Sequence, residues 1–187
     1  MIKRIFDVSS SLVGLIMLSP VLLVTAIAIK QDSQGPILFK QRRSGLNNKL
    51  FNIYKFRSMS VDTPNIETSK LSGGLNYITP VGKFIRKTSI DELPQLINVI
   101  KGDMSVVGPR PALYNQYELI EMRTALDIDK IKPGITGYAQ VMGRDDISDN
   151  QKVDYDKYYL MNQSFKMDMR IILKTVKDVI ASKNVKH

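Results

Sequence analysis

Apolar and polar positions divide this 187-residue chain into one long apolar segment near its start and a mixed remainder. From Ile5 to Ile29 the residues are apolar apart from Asp7, Ser9 to Ser11, Gly14, Ser19-Pro20 and Thr25, a stretch longer than the roughly 20 residues that a bilayer core requires. Three readings fit it. A secretory signal peptide would place Lys3-Arg4 ahead of the apolar run and a cleavage site near Ala26-Ile27-Ala28, but Asp7 and Pro20 suit that poorly. A single transmembrane helix has the required length. Cations flank both of its ends, however, with Lys3 and Arg4 before it and Lys30, Lys40, Arg42 and Arg43 after it, so the positive-inside bias favours neither end for translocation. A hairpin keeps both ends on one side. It enters a leaflet, breaks at Ser19-Pro20 and returns, the proline supplying the bend and the serine hydroxyl serving a freed backbone group.

The remainder alternates short strand patterns with helical ones. Gln34-Gly35-Pro36 reads as a turn. The runs from Ile37 to Gln41 and from Leu50 to Arg57 read as two strands joined across Ser44-Gly45-Leu46-Asn47-Asn48. Asp62 to Tyr77 is polar and aperiodic, a loop. Leu93, Leu96, Ile97 and Ile100 then fall at the spacing of one helix face, which Gly102 closes. Further helices are predicted over Ala112 to Leu126, Gln151 to Met161 and Lys166 to Ser182, with a glycine-rich turn region from Lys132 to Arg144 between the first two.

Composition changes the picture in two ways. The net charge is +9, and residues 1–60 carry nine Lys or Arg against only Asp7 and Asp32, so the excess sits in the third that holds the apolar run. That pairing suggests an anionic membrane surface or a phosphorylated ligand more than a nucleic-acid groove. The absence of cysteine excludes a disulfide scaffold and any thiolate zinc site.

Candidate chemistry centres on Arg86-Lys87-Thr88-Ser89-Ile90-Asp91-Glu92-Leu93-Pro94-Gln95. Pro94 is tolerated only in a first helical turn, which places the helix start near Asp91 or Glu92. A carboxylate there stays ionised beside the positive end of the helix, which also attracts phosphate oxygens. Capping is the simpler account, because Ser89 and Glu92 have capping-box spacing. Lys55 and Arg57 alternate onto one strand face, where they can hold a diphosphate or merely snorkel from an edge strand. Pro109 and Pro111 bracket Arg110 and would present it rigidly. Arg144 follows three glycines that permit close approach to a ligand. The acidic run Asp145, Asp146, Asp149, Asp154 and Asp156 does not match a calcium loop, and surface or helix-cap roles are expected for it.

Taken together, these blocks closely resemble the bacterial sugar transferase family, the small monotopic phosphoglycosyl transferases that start capsule and glycoconjugate assembly. The likeness runs through the Ser19-Pro20 break, Phe39-Lys40-Gln41-Arg42, the run from Tyr54 to Met59, Ile85 to Leu96, Lys101 to Ser105, Val107 to Pro111, Pro133 to Gly137, Gln140-Val141 and Gly143-Arg144. It is strongest to the capsule-initiating transferases of Gram-positive cocci. Tyr138 departs from it, since many relatives carry tryptophan there.

The resemblance implies an α+β, mostly helical fold, with a re-entrant membrane helix over residues 1–33 and a compact cytoplasmic catalytic domain over 34–187 that carries a small β-hairpin. It implies transfer of a phospho-sugar from a UDP-sugar, expected to be a UDP-N-acetyl amino sugar, to polyprenyl phosphate at the inner leaflet of the cytoplasmic membrane. UMP is the released product and nucleic acid is not a partner. By resemblance Asp91 is the nucleophile and Glu92 its partner, the two hold Mg2+, Lys55, Arg57, Arg86, Arg110 and Arg144 bind substrate, and Ser19 and Pro20 shape the membrane re-entry. A membrane-anchored basic scaffold is the rival, and it would have no need of the Asp91-Glu92 pair.

Overall fold

The computed structural model describes residues 2–64, 77–143 and 147–181. Most of the predicted loop from Asp62 to Tyr77 therefore lies outside the described residues, as does Arg144. The chain opens with two helices, α1 (Ile2–Met17) and α2 (Ser19–Asp32), bent by 62° at their junction. The cause is local. Pro20 has no N–H to offer the carbonyl of Ile16, and the Ser19 hydroxyl donates to that carbonyl instead at 2.8 Å. Among the described residues no single helix is long and apolar enough to cross a membrane, although the bent pair passes that test jointly.

Strands β1 (Leu38–Ser44) and β2 (Leu50–Phe56) form an antiparallel hairpin with Leu38 opposite Phe56 and Ser44 opposite Leu50. Arg57 thus falls just past the strand. Next come α3 (Pro80–Lys87) and a 3-10 turn over Ile90–Glu92 that leads into α4 (Gln95–Lys101), which Gly102 ends with φ of 92°. Strands β3 (Ser105–Val107) and β4 (Gly134–Thr136) pair in parallel, with α5 (Tyr117–Thr124) between them. The last helices are α6 (Tyr138–Met142), α7 (Asp149–Met161) and α8 (Phe165–Ile180). The mostly helical α+β class is as expected. The helix expected over Ala112 to Leu126 is shorter, because Leu113 bridges to Arg43 and closes a turn with Gln116 before α5 begins.

Four apolar clusters hold these elements together. One joins α2, β2 and α3 through Ile29, Phe56 and Ile85, and another joins β2, α4 and the approach to β3 through Ile53, Val99 and Met104. The third gathers Val107, Tyr159 and Ile171, and the fourth Leu119, Ile128 and Val153. Each fully buried aliphatic side chain contributes about 1.5–3 kcal/mol. Gly82 lets α3 close on the segment after β2, since a Cβ there would lie 2.0 Å from the Ser58 carbonyl oxygen.

The expected boundary at residue 33 is crossed by polar bonds at both ends of the helix pair. Near the start, Lys3 pairs with Asp168 at 2.7 Å, Arg4 donates to the carbonyls of Val99 and Ile100, and Asp7 accepts from Ser105 Oγ and Val106 N–H. At the far end Asp32 accepts from Val81 N–H, and Arg57 donates to the carbonyls of Ser33 and Gln34. Between these ends Leu12, Val13, Ile16, Met17, Leu23, Val24 and Ile27 are each at least half exposed.

Asn98, fully buried on α4, is the polar pin of the hairpin. Its Oδ1 accepts from Tyr54 N–H at 2.9 Å, and its Nδ2 donates to the Asn52 carbonyl at 2.8 Å and to Asp103. Asn98→Leu should cost about 1–3 kcal/mol, because the Tyr54 N–H and the Asn52 carbonyl lose their partner at this fully buried side chain. Urea unfolding of the detergent-solubilised protein measures this, and a cost below about 0.5 kcal/mol would show that the pin is dispensable.

Candidate active site

The site is assembled from three elements around one turn. The Ile90–Glu92 turn is entered through Ser89, whose φ of 57° turns the chain back after α3. Ser89 makes no side-chain capping bond, so the expected capping box with Glu92 is absent. The reason is geometric, as a left-handed Ser89 does not have the extended backbone of an N-cap residue. Asp91 accordingly lies inside a 3-10 turn rather than at the first residue of a helix, and α4 starts four residues later. Its environment comes from side chains instead of a helix dipole.

Asp91 is buried, at 8% exposure. Its neighbour Glu92 accepts through one oxygen, Oε1, from both Lys55 Nζ at 2.7 Å and Arg110 Nη2 at 2.8 Å. Strand β2 delivers Lys55, α3 delivers Arg86, and the loop after β3 delivers Arg110. The electrostatics separate the two carboxylates. Burial pushes the Asp91 carboxyl up to about 6, Glu92 adding to the rise while Lys55, Arg86 and Arg110 pull against it. Burial acts the same way on Glu92, but Arg110 and Lys55, both also hydrogen-bonded to it, outweigh that and hold it well below the usual carboxylate range. Burial lowers Lys55, with Glu92 opposing the shift. Opposed pKa shifts on adjacent acids mark groups with different tasks, one locked as an anion and one free to change.

Lys55, Arg86, Arg110, Asp91 and Glu92 thus come together as expected. Arg57 does not join them. It is buried at 5% exposure and its guanidinium is spent on the Ser33 and Gln34 carbonyls at the end of α2. The strand ends at Phe56, so the alternation that was expected to align Arg57 with Lys55 stops one residue too soon. Ser19 and Pro20 sit at the helix break, and Arg144 is outside the described residues.

Two supporting groups were not foreseen. Arg123 on α5 donates to the Arg110 carbonyl at 2.8 Å and pairs with Asp156 at 2.6 Å. Asp156, at 1% exposure, corrects the expectation of a surface role for the whole acidic run. Helical phase carries the signal. Val153, Asp156 and Tyr159 are the buried residues of α7, so Asp156 falls on the inward face by its three-residue spacing. Arg43, the second group, donates to the Pro111 carbonyl at 3.0 Å.

The raised Asp91 carboxyl has a consequence for stability. Its folded value of about 6 exceeds the ordinary 3.8, so the native state holds the proton more tightly than the unfolded chain does. That stabilisation is complete below about pH 4 and is lost as pH rises through 6. Asp91→Asn, which does not ionise, should therefore melt a few degrees above the wild type at pH 8, with the gap closing towards pH 4. A pH-independent difference in thermal unfolding would contradict the raised value.

Comparison with known proteins identifies the family. The profile of the bacterial sugar transferases matches residues 1–182. The sugar transferase EpsL of Bacillus subtilis (strain 168), itself named as uncharacterized, is 40% identical over 186 residues, covering 100% of this chain and 91% of that protein. An undecaprenyl-phosphate glucose phosphotransferase of Komagataeibacter xylinus is 41% identical over 197 residues, 97% of this chain and 36% of that protein. The galactosyl transferase CpsE of Streptococcus agalactiae serotype III (strain NEM316) is 41% identical over 196 residues, 98% of this chain and 43% of that protein. The chain thus spans less than half the length of the latter two. With a profile match over nearly its full length and a 40% identical relative that it almost wholly covers, the chain belongs to the bacterial sugar transferase family.

Proposed function

We propose that this protein transfers a phospho-sugar from a UDP-sugar to polyprenyl phosphate through a covalent intermediate on Asp91. The observation that supports it best is the buried Asp91 carboxylate beside a second carboxylate that Lys55 and Arg110 keep ionised. Relatives named as undecaprenyl-phosphate glucose, galactose and N-acetylgalactosamine phosphotransferases support the reaction class. A basic membrane scaffold would have no use for a desolvated acid of this kind.

Asp91 attacks the phosphorus that carries the sugar. The new bond runs from a carboxylate oxygen to that phosphorus, the bridging oxygen leaves with its electron pair, and UMP departs. A phosphate oxygen of the lipid then attacks the same phosphorus and frees the Asp91 carboxylate. One difficult displacement becomes two easier ones. Desolvation leaves Asp91 poorly shielded and reactive, while at pH 7 it is still mostly ionised. Arg110, 41% exposed along its side chain, can reach phosphate oxygens without releasing Glu92, and Arg86 supplies further positive field. Such preorganised cations stabilise charge as it moves between oxygens.

Asp91 and Glu92 suit a magnesium ion as part of a shell. Among the described residues no group of three or more acidic, His or Cys ligands could hold a metal, but one or two carboxylates suffice where phosphate oxygens and water complete the coordination. Bound there, the ion would neutralise diphosphate charge that repels an anionic nucleophile.

The lipid acceptor motivates the second part of the reading, that the α1–α2 pair enters one leaflet and returns to the cytoplasmic side. Both of its ends are hydrogen-bonded into the same folded body, which a spanning helix could not achieve. The amino sugar expected of the donor is a finer part of this reading, and relatives' names include both N-acetylgalactosamine and neutral hexoses.

Incubated with UDP-glucose, UDP-galactose, UDP-N-acetylglucosamine or UDP-N-acetylgalactosamine and magnesium but no lipid, the enzyme should release about one equivalent of UMP from its proper donor and retain the phospho-sugar. Asp91→Asn should do neither. Product formed only when both substrates are present, with no adduct on Asp91 by mass spectrometry, would establish direct displacement instead. The topology has its own test, since the chain has no cysteine. Ile2→Cys and Gln31→Cys should both resist an impermeant thiol reagent added outside intact cells, and labelling of either would refute the hairpin.

A further inference from the structure

Arg110 owes its position to a backbone clamp rather than to its flanking prolines alone. Four consecutive carbonyls, from Pro109 to Ala112, each accept a hydrogen bond, and the donors come from three separate parts of the chain. Pro109 accepts from Gly134 N–H at 2.9 Å, Arg110 from Arg123 at 2.8 Å, Pro111 from Arg43 at 3.0 Å and Ala112 from Ser44 N–H at 3.0 Å. Packing anchors one end of this loop, where the buried Ala112 joins Leu119, Ile128 and Val153, and a cleft of about 30 Å3 beside it is lined by Arg110, Arg123, Asp129 and Pro133. At Arg110, beside that cleft, the carbonyl is held by a hydrogen bond.

Among these donors Arg123 is the one that brings a buried charge. Bringing a guanidinium into the interior costs several kcal/mol unless it is paired, and Asp156 supplies the pairing at 2.6 Å. A tie between α5 and α7 alone would not need the second bond, from Nη1 to the Arg110 carbonyl. We infer that Arg123, neutralised by Asp156, is a positioning residue for catalysis: it fixes the Arg110 backbone so that the Arg110 guanidinium meets Glu92 and the donor diphosphate. This deepens the reaction proposed above and rests on it for the role of Arg110.

The test is a mutant cycle with a structural readout beside it. Removing both partners of the ion pair, as Arg123→Met/Asp156→Leu, avoids stranding a buried charge and preserves the fold. Arg123→Lys is the gentler variant, because one ammonium keeps the charge opposite Asp156 but cannot also hold the carbonyl in a guanidinium's fork. UMP release by the double variant should fall about 10- to 100-fold in kcat, and by Arg123→Lys about 3- to 10-fold. In an Arg110→Ala background, itself slow, both changes should alter kcat by less than about twofold, since two residues acting as a unit are not additive. Hydrogen exchange at the amides of Gly108 and Leu113 should quicken at least about tenfold in the double variant. An equal fall in kcat with and without Arg110, or no fall at all, would overturn the inference. So would unchanged exchange in the double variant. If the wild type releases no UMP from any donor, the reaction proposed above is wrong, while the exchange readout still decides whether Arg123 clamps the loop.

Discussion

Two adjacent carboxylates share a largely buried turn, and the rest of the structure follows from the need to compensate them. Neither Asp91 nor Glu92 is near the end of a long helix that might supply a dipole, so the compensation must come from cations, and no single element provides enough. Lys55 arrives from β2, Arg86 from α3 and Arg110 from the loop after β3. The tight contact at Gly82, the Asn98 pin and the carbonyl clamp beneath Arg110 each serve to bring one of those cations within range. The compensation is uneven. Lys55 and Arg110 hydrogen-bond to Glu92 and act on Asp91 through their charge, which leaves one acid fixed as an anion and the other close to its protonation point.

Legibility in the sequence tracked the range of the interaction. The apolar run with its Ser19-Pro20 break, the β1–β2 hairpin, the α4 face and the grouping of Lys55, Asp91, Glu92 and Arg110 are carried by local patterns and by ordered blocks. Arg57 shows the limit. Alternation places it beside Lys55 only while the strand continues, and the strand ends at Phe56. Asp156 shows a second limit, because a run of five aspartates looks like solvent-facing charge until helical phase singles out the one that falls inward. Its partner Arg123 lies 33 residues away, and no local pattern joins them. The short parallel pair of β3 and β4 is hidden for the same reason, with α5 intervening in the chain.

Tyr159 and Asp168 extend the polar framework towards the N-terminus. The Tyr159 hydroxyl donates to Asp168 at 2.7 Å, and Asp168 in turn accepts from Lys3. Phe6 packs edge-on against Phe165 with ring centroids 5.3 Å apart. The first two turns of α1 are therefore built into the same interior as α7 and α8. Had these turns been only a membrane anchor, Asp7 and Ser11 would have been costly choices for so apolar a helix. Ser105 and Val106 satisfy Asp7 from the start of β3, which builds the carboxylate into the interior of the domain.

In the reaction proposed above a soluble nucleotide donor and a lipid acceptor must reach one carboxylate, and this coupling bears on how they do so. Arg4 grips the carbonyls of Val99 and Ile100 at the end of α4, and the Ile90–Glu92 turn lies just beyond the other end of that helix. α4 has seven residues, which at 1.5 Å per residue separates the grip from the turn by about 10 Å. If the apolar middle of the α1–α2 pair lies in a leaflet, as proposed, the packing of this short helix along α1, with Leu96 against Gly14, fixes the height of Asp91 relative to the membrane surface. A lipid phosphate is confined to a thin layer at that surface, whereas a nucleotide sugar arrives from water at any angle. Fixing the height therefore favours the acceptor, the substrate with less freedom to adjust, and leaves Arg110 at the open side of the site to receive the donor.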